Sequence, residues 1–209
     1  MKQIPTLLLL GFALTFCNLG NKLKTATNSK EPTNTGSTSS DTGSAEKPNP
    51  TAAQTAAIAG GQNVNWDQQG MSWTVPAKWK ESSNESKMLV WRSPGSWDAA
   101  SMIVSISAMD ESFPMDISIK AFYDGAKTRS KNGEVDELKW LEIDGLKGVQ
   151  FRESNPEKPD GIRRLQWMAY RKYAGQVQLV NLILSSSGKG FPQHEDEIYG
   201  VLYSMKIVH

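Results

Sequence analysis

All seven tryptophans (Trp66, Trp73, Trp79, Trp91, Trp97, Trp140 and Trp167) fall after Val64, whereas Asn18 to Gly61 contains no aromatic residue. That division decides where a core can form. The earlier stretch is Thr, Ser, Asn, Gly, Ala and Pro with scattered charges, and it cannot bury enough apolar surface to offset the entropy of ordering it. It reads as a disordered tether over 17–62, followed by one folded domain over 63–209. The rival reading of part of it is a weak, Ala-rich helix from Thr51 to Ala59. Fully extended, the tether reaches on the order of 140 Å at about 3.3 Å per residue.

Before the tether, Lys2 precedes an apolar run from Ile4 to Phe16, short of the roughly 20 residues that span a bilayer but suited to a secretory signal. The run ends at Leu14-Thr15-Phe16-Cys17, which holds the only cysteine in the chain. These residues resemble the lipobox of bacterial lipoproteins. Leu14, Thr15 and Cys17 fit it, while Phe16 stands where a small side chain is usual. The resemblance implies a signal peptide over 1–16 and Cys17 as the acylated first residue of the mature protein. Its lipid membrane partner is then reached through Cys17, and several acyl chains supply the stability that one lacks. Asn18, in place of an aspartate, implies by the same resemblance the outer rather than the inner membrane of the cell envelope. The other reading is an ordinary secretory signal with cleavage nearby. No cysteine follows Cys17, so no disulfide framework can staple the domain, and its stability must come from a core. A net charge of +1 gives no reason to propose nucleic acid as a partner.

The domain reads as alternating strands with two helices. Met71, Trp73 and Val75 alternate with Ser72 and Thr74 before Pro76 ends the ladder. Ser86 to Arg92 and Ser101 to Met109 are further strands around a Ser93-Pro94-Gly95-Ser96 turn. Ile119, Phe122, Tyr123 and Ala126 recur at helical spacing, giving a helix over Asp116 to Lys131 that stops at Asn132-Gly133. Glu134 to Ile143 and Gly148 to Glu153 form a hairpin about Asp144-Gly145, because a type I′ turn needs positive φ at both positions. Ile162 to Tyr170 follows, then a turn at Tyr173-Ala174-Gly175. Val177 to Leu184 is apolar on both sides and therefore central. A helix over Phe191 to Met205, with the stripe Ile198, Val201, Leu202 and Met205, closes an α+β architecture with an antiparallel sheet.

Gly70-Met71-Ser72-Trp73-Thr74-Val75-Pro76-Ala77-Lys78-Trp79, a strand running into a Pro-x-x-Trp step, resembles the opening of PsbP/Mog1/DcrB-like domains. Asp144-Gly145 is similar to their turn, and Ile198 through Ile207, with Tyr203-Ser204-Met205-Lys206, to their closing segment. The resemblance covers about Trp66 to Val208. It implies an antiparallel sheet sandwiched by helices, and a binding or assembly module rather than a reaction. Fold alone assigns no partner site.

Candidate chemistry is sparse. His194 with Glu195 and Asp196 offers one imidazole on a solvated first turn, a poor transition-metal site. Ser185-Ser186-Ser187-Gly188-Lys189-Gly190 lacks the spacing of a phosphate loop. Glu134, Asp136, Glu137, Glu142 and Asp144 are split between strand faces and do not converge as calcium requires. No metal, cofactor or catalytic residue is assigned. Arg163, Arg164 and Arg171 bias one strand positively, either as a partner-binding patch or as protection for an edge strand. Trp73, Trp79 and Trp167 read as core, whereas Trp97, in a turn, reads as exposed and as the better interface anchor. The reading is a membrane-tethered, non-enzymatic module that binds a protein partner through Trp97, Arg163, Arg164 and Arg171. The alternative is an envelope protein that holds a small ligand in an apolar pocket between sheet and helix.

Overall fold

The computed structural model describes residues 43–209; the expected signal peptide over 1–16, Cys17 and the start of the expected tether lie outside the described residues. In chain order the elements are α1 (Ala52–Ile58), β1 (Gln62–Trp66), β2 (Met71–Val75), β3 (Lys80–Glu85), β4 (Met88–Arg92), β5 (Ser101–Met109) and α2 (Met115–Lys131). Then follow β6 (Val135–Ile143), β7 (Leu146–Glu153), β8 (Ile162–Tyr173), β9 (Gln176–Ser187), α3 (Phe191–Tyr203) and β10 (Lys206–Ile207). Seven strands form one antiparallel sheet in the order β3-β4-β5-β9-β8-β7-β6, and three form a second in the order β1-β2-β10.

β9 is the middle strand of the larger sheet, as its two-sided apolar composition predicts. Its neighbours are set by turn chemistry. Asp144 and Gly145 take φ of 51° and 87°, the left-handed pair that a two-residue hairpin needs, and Ala174 and Gly175 do the same at 50° and 75°. Period-two alternation then sends side chains to opposite faces. On one face Met102, Val104, Leu165, Trp167, Leu182 and Leu184 meet Ile198 and Leu202 of α3 and Met71, Trp73 and Val75 of the small sheet. On the other, Val149, Phe151 and Met168 meet Phe122, Tyr123 and Ala126 of α2.

Three features depart from the sequence reading or go unread in it. The tether was expected to run to 62, but residues 52–58 are helical, as the rival reading has it. Thr51 caps that helix: its hydroxyl accepts from Gln54 N–H at 3.1 Å, and the Gln54 side chain accepts from Thr51 N–H at 3.0 Å. Composition hides this because α1 buries no residue outright and rests on the domain through Ile58. Gly200 makes the contact possible, since a Cβ there would stand 2.6 Å from the Gln54 carbonyl oxygen. Second, β3 has no apolar alternation to read, being an exposed polar strand held by its ladder to β4. Third, the strand carrying Arg163, Arg164 and Arg171 is not an edge, because β8 lies between β9 and β7.

Trp167 is fully buried, and its indole N–H donates to the Leu141 carbonyl at 3.1 Å over Gly148. Trp167→Ala is expected to cost about 3–5 kcal/mol through the cavity it leaves. A urea titration checks this, and an unchanged midpoint would remove Trp167 from the core.

Candidate functional site

Position along β8 decides what each predicted cation does. Arg163 shares the face of Leu165 and Trp167 and is 6% exposed. Its Nε donates to the Glu153 carbonyl at 2.9 Å, its Nη2 pairs with Asp136, and its guanidinium lies 4.8 Å from the Phe191 ring. Arg171, at the far end of the same face, is 2% exposed. It donates to Gln178 Oε1 at 2.9 and 3.1 Å and to the carbonyls of Val208 and Gln69, each at 2.7 Å. Burial pushes its pKa down, partly offset by Tyr173, whose ring it stacks on. Arg164 points to the opposite face and pairs with Glu153 at 3.1 Å. The three arginines therefore make no common patch. Arg163 and Arg171 are interior clamps, because their face of β8 is closed over Arg163 by Phe191 of α3 and over Arg171 by Gln69, Val208 and Tyr173.

Trp97 is exposed as expected, at 55%. It sits in the β4–β5 loop beside Pro159 and Asp160 of the β7–β8 loop and Lys189 of the β9–α3 loop, around a hollow of about 540 Å³. Lys189 Nζ lies 5.6 Å from its ring. The loops are tied together: Ser186 Oγ donates to the Asp98 carbonyl at 2.7 Å, Lys189 N–H to Pro159 at 3.0 Å and Gly188 N–H to Gly161 at 2.8 Å. The Ser93 hydroxyl accepts from Ala100 N–H at 2.8 Å, and the Ser187 hydroxyl from Gly190 N–H at 2.9 Å. A large, amphipathic ring is thus held out by loops that are themselves bonded in place, which suits an interface anchor.

The densest polar cluster lies between α3 and the β6–β7 hairpin. Glu137 accepts from Tyr199 and, at 2.6 Å, from Gln150, with Lys139 at 3.2 Å. Arg152 donates to Asp136 at 2.7 Å, to Glu195 at 2.6 Å and to the Tyr199 oxygen at 3.3 Å. Burial, then the hydrogen bond to Glu137, push the Tyr199 phenol well above its ordinary pKa of 10. For Arg152, burial pulls down but Asp136, Tyr199 and Glu137 outweigh it, so its pKa is raised. Half of this cluster was legible. The Asp144-Gly145 turn sets Ile143 opposite Leu146, which puts Lys139 opposite Gln150 and Glu137 opposite Arg152; the register shifts only beyond that pair, between Glu137 and Val135. The α3 partners carry no such local signal.

His194 Nδ1 lies 2.8 Å from Glu197, which also accepts from the Trp79 indole at 3.3 Å. Among the described residues no three His, Cys, Asp or Glu side chains are grouped to hold a metal.

No protein-family model matches the chain, and no curated protein does. Solved structures do. LpqN, involved in cell envelope biogenesis of Mycobacterium tuberculosis, is similar at a TM-score of 0.52 and 13% identity over 71% of this chain and 90% of LpqN. CyanoP, the cyanobacterial PsbP of Synechocystis, is similar at 0.46 and 14% over 70% of this chain and 92% of CyanoP. The Ran-binding protein Mog1p of Saccharomyces cerevisiae is similar at 0.42 and 9% over 71% and 95%. The chain spans about half, 49%, of a Bacteroides thetaiotaomicron protein that it also matches. The chain shares the fold of LpqN, antiparallel strands with helices packed on them. At these identities the likeness shows fold alone, and LpqN, above a TM-score of 0.5, is the comparison that carries it.

Two outcomes test this site. Arg163→Glu sets a carboxylate against Asp136 in a nearly buried position, and is expected to destabilise the whole domain by about 3–5 kcal/mol rather than to act at a surface; an unchanged melting temperature would refute the clamp. Tyr199 has a folded-state pKa raised above its unfolded value, so its contribution is complete below about pH 10 and is lost as pH rises beyond it. Chemical denaturation at pH 9 and 11 should therefore show a smaller loss of stability for Tyr199→Phe than for the native chain; equal losses would contradict the assignment.

Proposed function

We propose that this chain is a lipoprotein of the cell envelope, anchored through acylated Cys17, that acts as a non-enzymatic binding module for another protein. The observation that carries the reading is Trp97, held out in solvent by a β4–β5 loop bonded to the end of β9, beside β7–β8 and β9–α3 loops that are bonded to each other. Exposed tryptophans are over-represented among the residues that dominate binding energy at interfaces, and a rigid loop carries little ordering cost on binding. Leu14, Thr15 and Cys17 support the anchor through their lipobox resemblance, and Asn18 in place of an aspartate favours the outer membrane over the inner. A tether there raises the effective concentration of the domain for a local partner. Trp97, with Pro159 and Lys189 beside it, forms the contact, and Arg164 lies on the half-open face of the same sheet. The small-ligand reading needs room between the sheet and α3. That layer is filled by Met102, Leu165, Trp167, Leu182, Phe191 and Ile198, all essentially without exposure, which leaves the protein-binding reading in front.

The test uses the full chain expressed in a bacterium with a photo-crosslinking amino acid in place of Trp97, and separately in place of Lys131 as a control. A discrete adduct from position 97 alone, in a membrane fraction that Cys17→Ser depletes, is the expected result. Absence of a position-97 adduct overturns the contact assignment, and equal membrane partitioning of Cys17→Ser overturns the anchor.

A further inference from the structure

The two ends of the seven-stranded sheet are finished differently. β3 is short, polar on both sides and bulged between Glu81 and Ser83, which discourages pairing with another sheet. β6 is longer, carries Leu138, Trp140 and Leu141, and has its own irregularity only at its start, between Val135 and Glu137. Among the described residues its outer edge is met at one point. Glu46 N–H donates to the Trp140 carbonyl at 2.9 Å, and Glu142 N–H donates to the Glu46 carbonyl at 2.8 Å, a parallel bridge to Leu141. Two ion pairs flank it, Lys139 with Glu46 at 3.5 Å and Lys47 with Glu142 at 3.8 Å. The Glu46 and Lys47 side chains are 64% and 80% exposed, so these pairs add little. This arm continues into α1 and joins β1 through Gly60-Gly61, where Gly60 has a φ of 68°.

The bond pattern also determines which backbone groups of β6 face outward. Trp140 and Glu142 face the arm, so strand alternation turns Leu138 outward as well. Laid antiparallel against a second copy with Leu138 at the two-fold axis, β6 brings Glu137 of each chain opposite Lys139 of the other. Opposite charges in that cross-strand position are favourable, and Leu138 falls beside its counterpart. Such pairing runs the start of one β6, irregular between Val135 and Glu137, toward Trp140 and Glu142 of the other, where the arm now lies. The two arrangements therefore compete for the same hydrogen-bonding groups.

We propose that the β6 edge is a pairing surface for a second copy of this chain, and that residues 43–48 are the built-in competitor that keeps it closed. The contact is isologous, so it closes at two copies. It depends neither on the Trp97 loops nor on lipidation.

Sedimentation velocity on the chain from Asn18 onward, which retains every described residue, tests this. Glu46→Pro removes the donor to Trp140 and leaves the ladder between β6 and β7 untouched. The native chain is expected to sediment as a monomer and Glu46→Pro as a dimer at the same concentration. Adding Leu138→Pro, which removes an outward N–H from an edge strand where proline is tolerated, should restore the monomer. A monomeric Glu46→Pro chain, a dimer that survives Leu138→Pro, or assembly beyond two copies overturns the pairing, and a native chain already dimeric to the same extent overturns the competition. Hydrogen exchange in the native chain gives a second reading: the Glu142 amide, protected only by the arm, should exchange well before the Leu141 amide, and equal rates would contradict a detachable arm.

Discussion

β9 must be covered on both faces, and every other layer takes its place from that requirement. Its even-numbered residues Val180, Leu182 and Leu184 are fully buried against the α3 side. On the opposite side Val177 is buried and Leu179 packs against the cluster under α2. With no disulfide available to the domain, burial of such positions is the main source of its stability. The two helices accordingly lie on opposite faces of one sheet, and the small sheet extends the cover on the α3 side. The loops around Trp97 can be rigid because the strands that launch them are fixed in this way.

Charged residues do interior work that their chemistry does not announce. Arg171 ties the final strand and the turn before β2 to the large sheet by donating to the carbonyls of Val208 and Gln69. Arg163 and Arg152 converge on Asp136, and Arg152 reaches across to Glu195 on α3. Placing a guanidinium inside is costly unless its donors find acceptors. Here most of the acceptors are backbone carbonyls and carboxylates from other elements, so each arginine records a tertiary arrangement. The same cations on an exposed edge would have been a recognition patch.

The edges of the sheet reflect an opposing constraint. A sheet that buries both faces still ends in unpaired backbone groups. β3 manages this by being polar and bulged, and β6 by accepting the segment at Glu46. That segment belongs to a stretch whose composition alone argues against order. Its order comes from a capping box, from two backbone bonds to a strand far along the chain, and from a glycine on α3 that allows close approach.

Sequence by itself determined the elements whose signals are local. The alternation of Met71–Val75 and Ser101–Met109, the helical spacing from Ile119 to Ala126, the positive-φ turn at Asp144-Gly145 and the central character of β9 all follow from neighbours a few residues apart. So does the burial of Trp73, Trp79 and Trp167, and the exposure of Trp97 in a Pro-Gly turn. Tertiary structure alone decided the rest: that β8 is interior, that Arg163 and Arg171 are clamps, that Glu137 and Arg152 meet Tyr199 and Glu195, and that 43–61 packs on the domain. Each of these rests on contacts between segments far apart in the chain, and the periodicity of a single strand or helix holds no information about which other element will cover it.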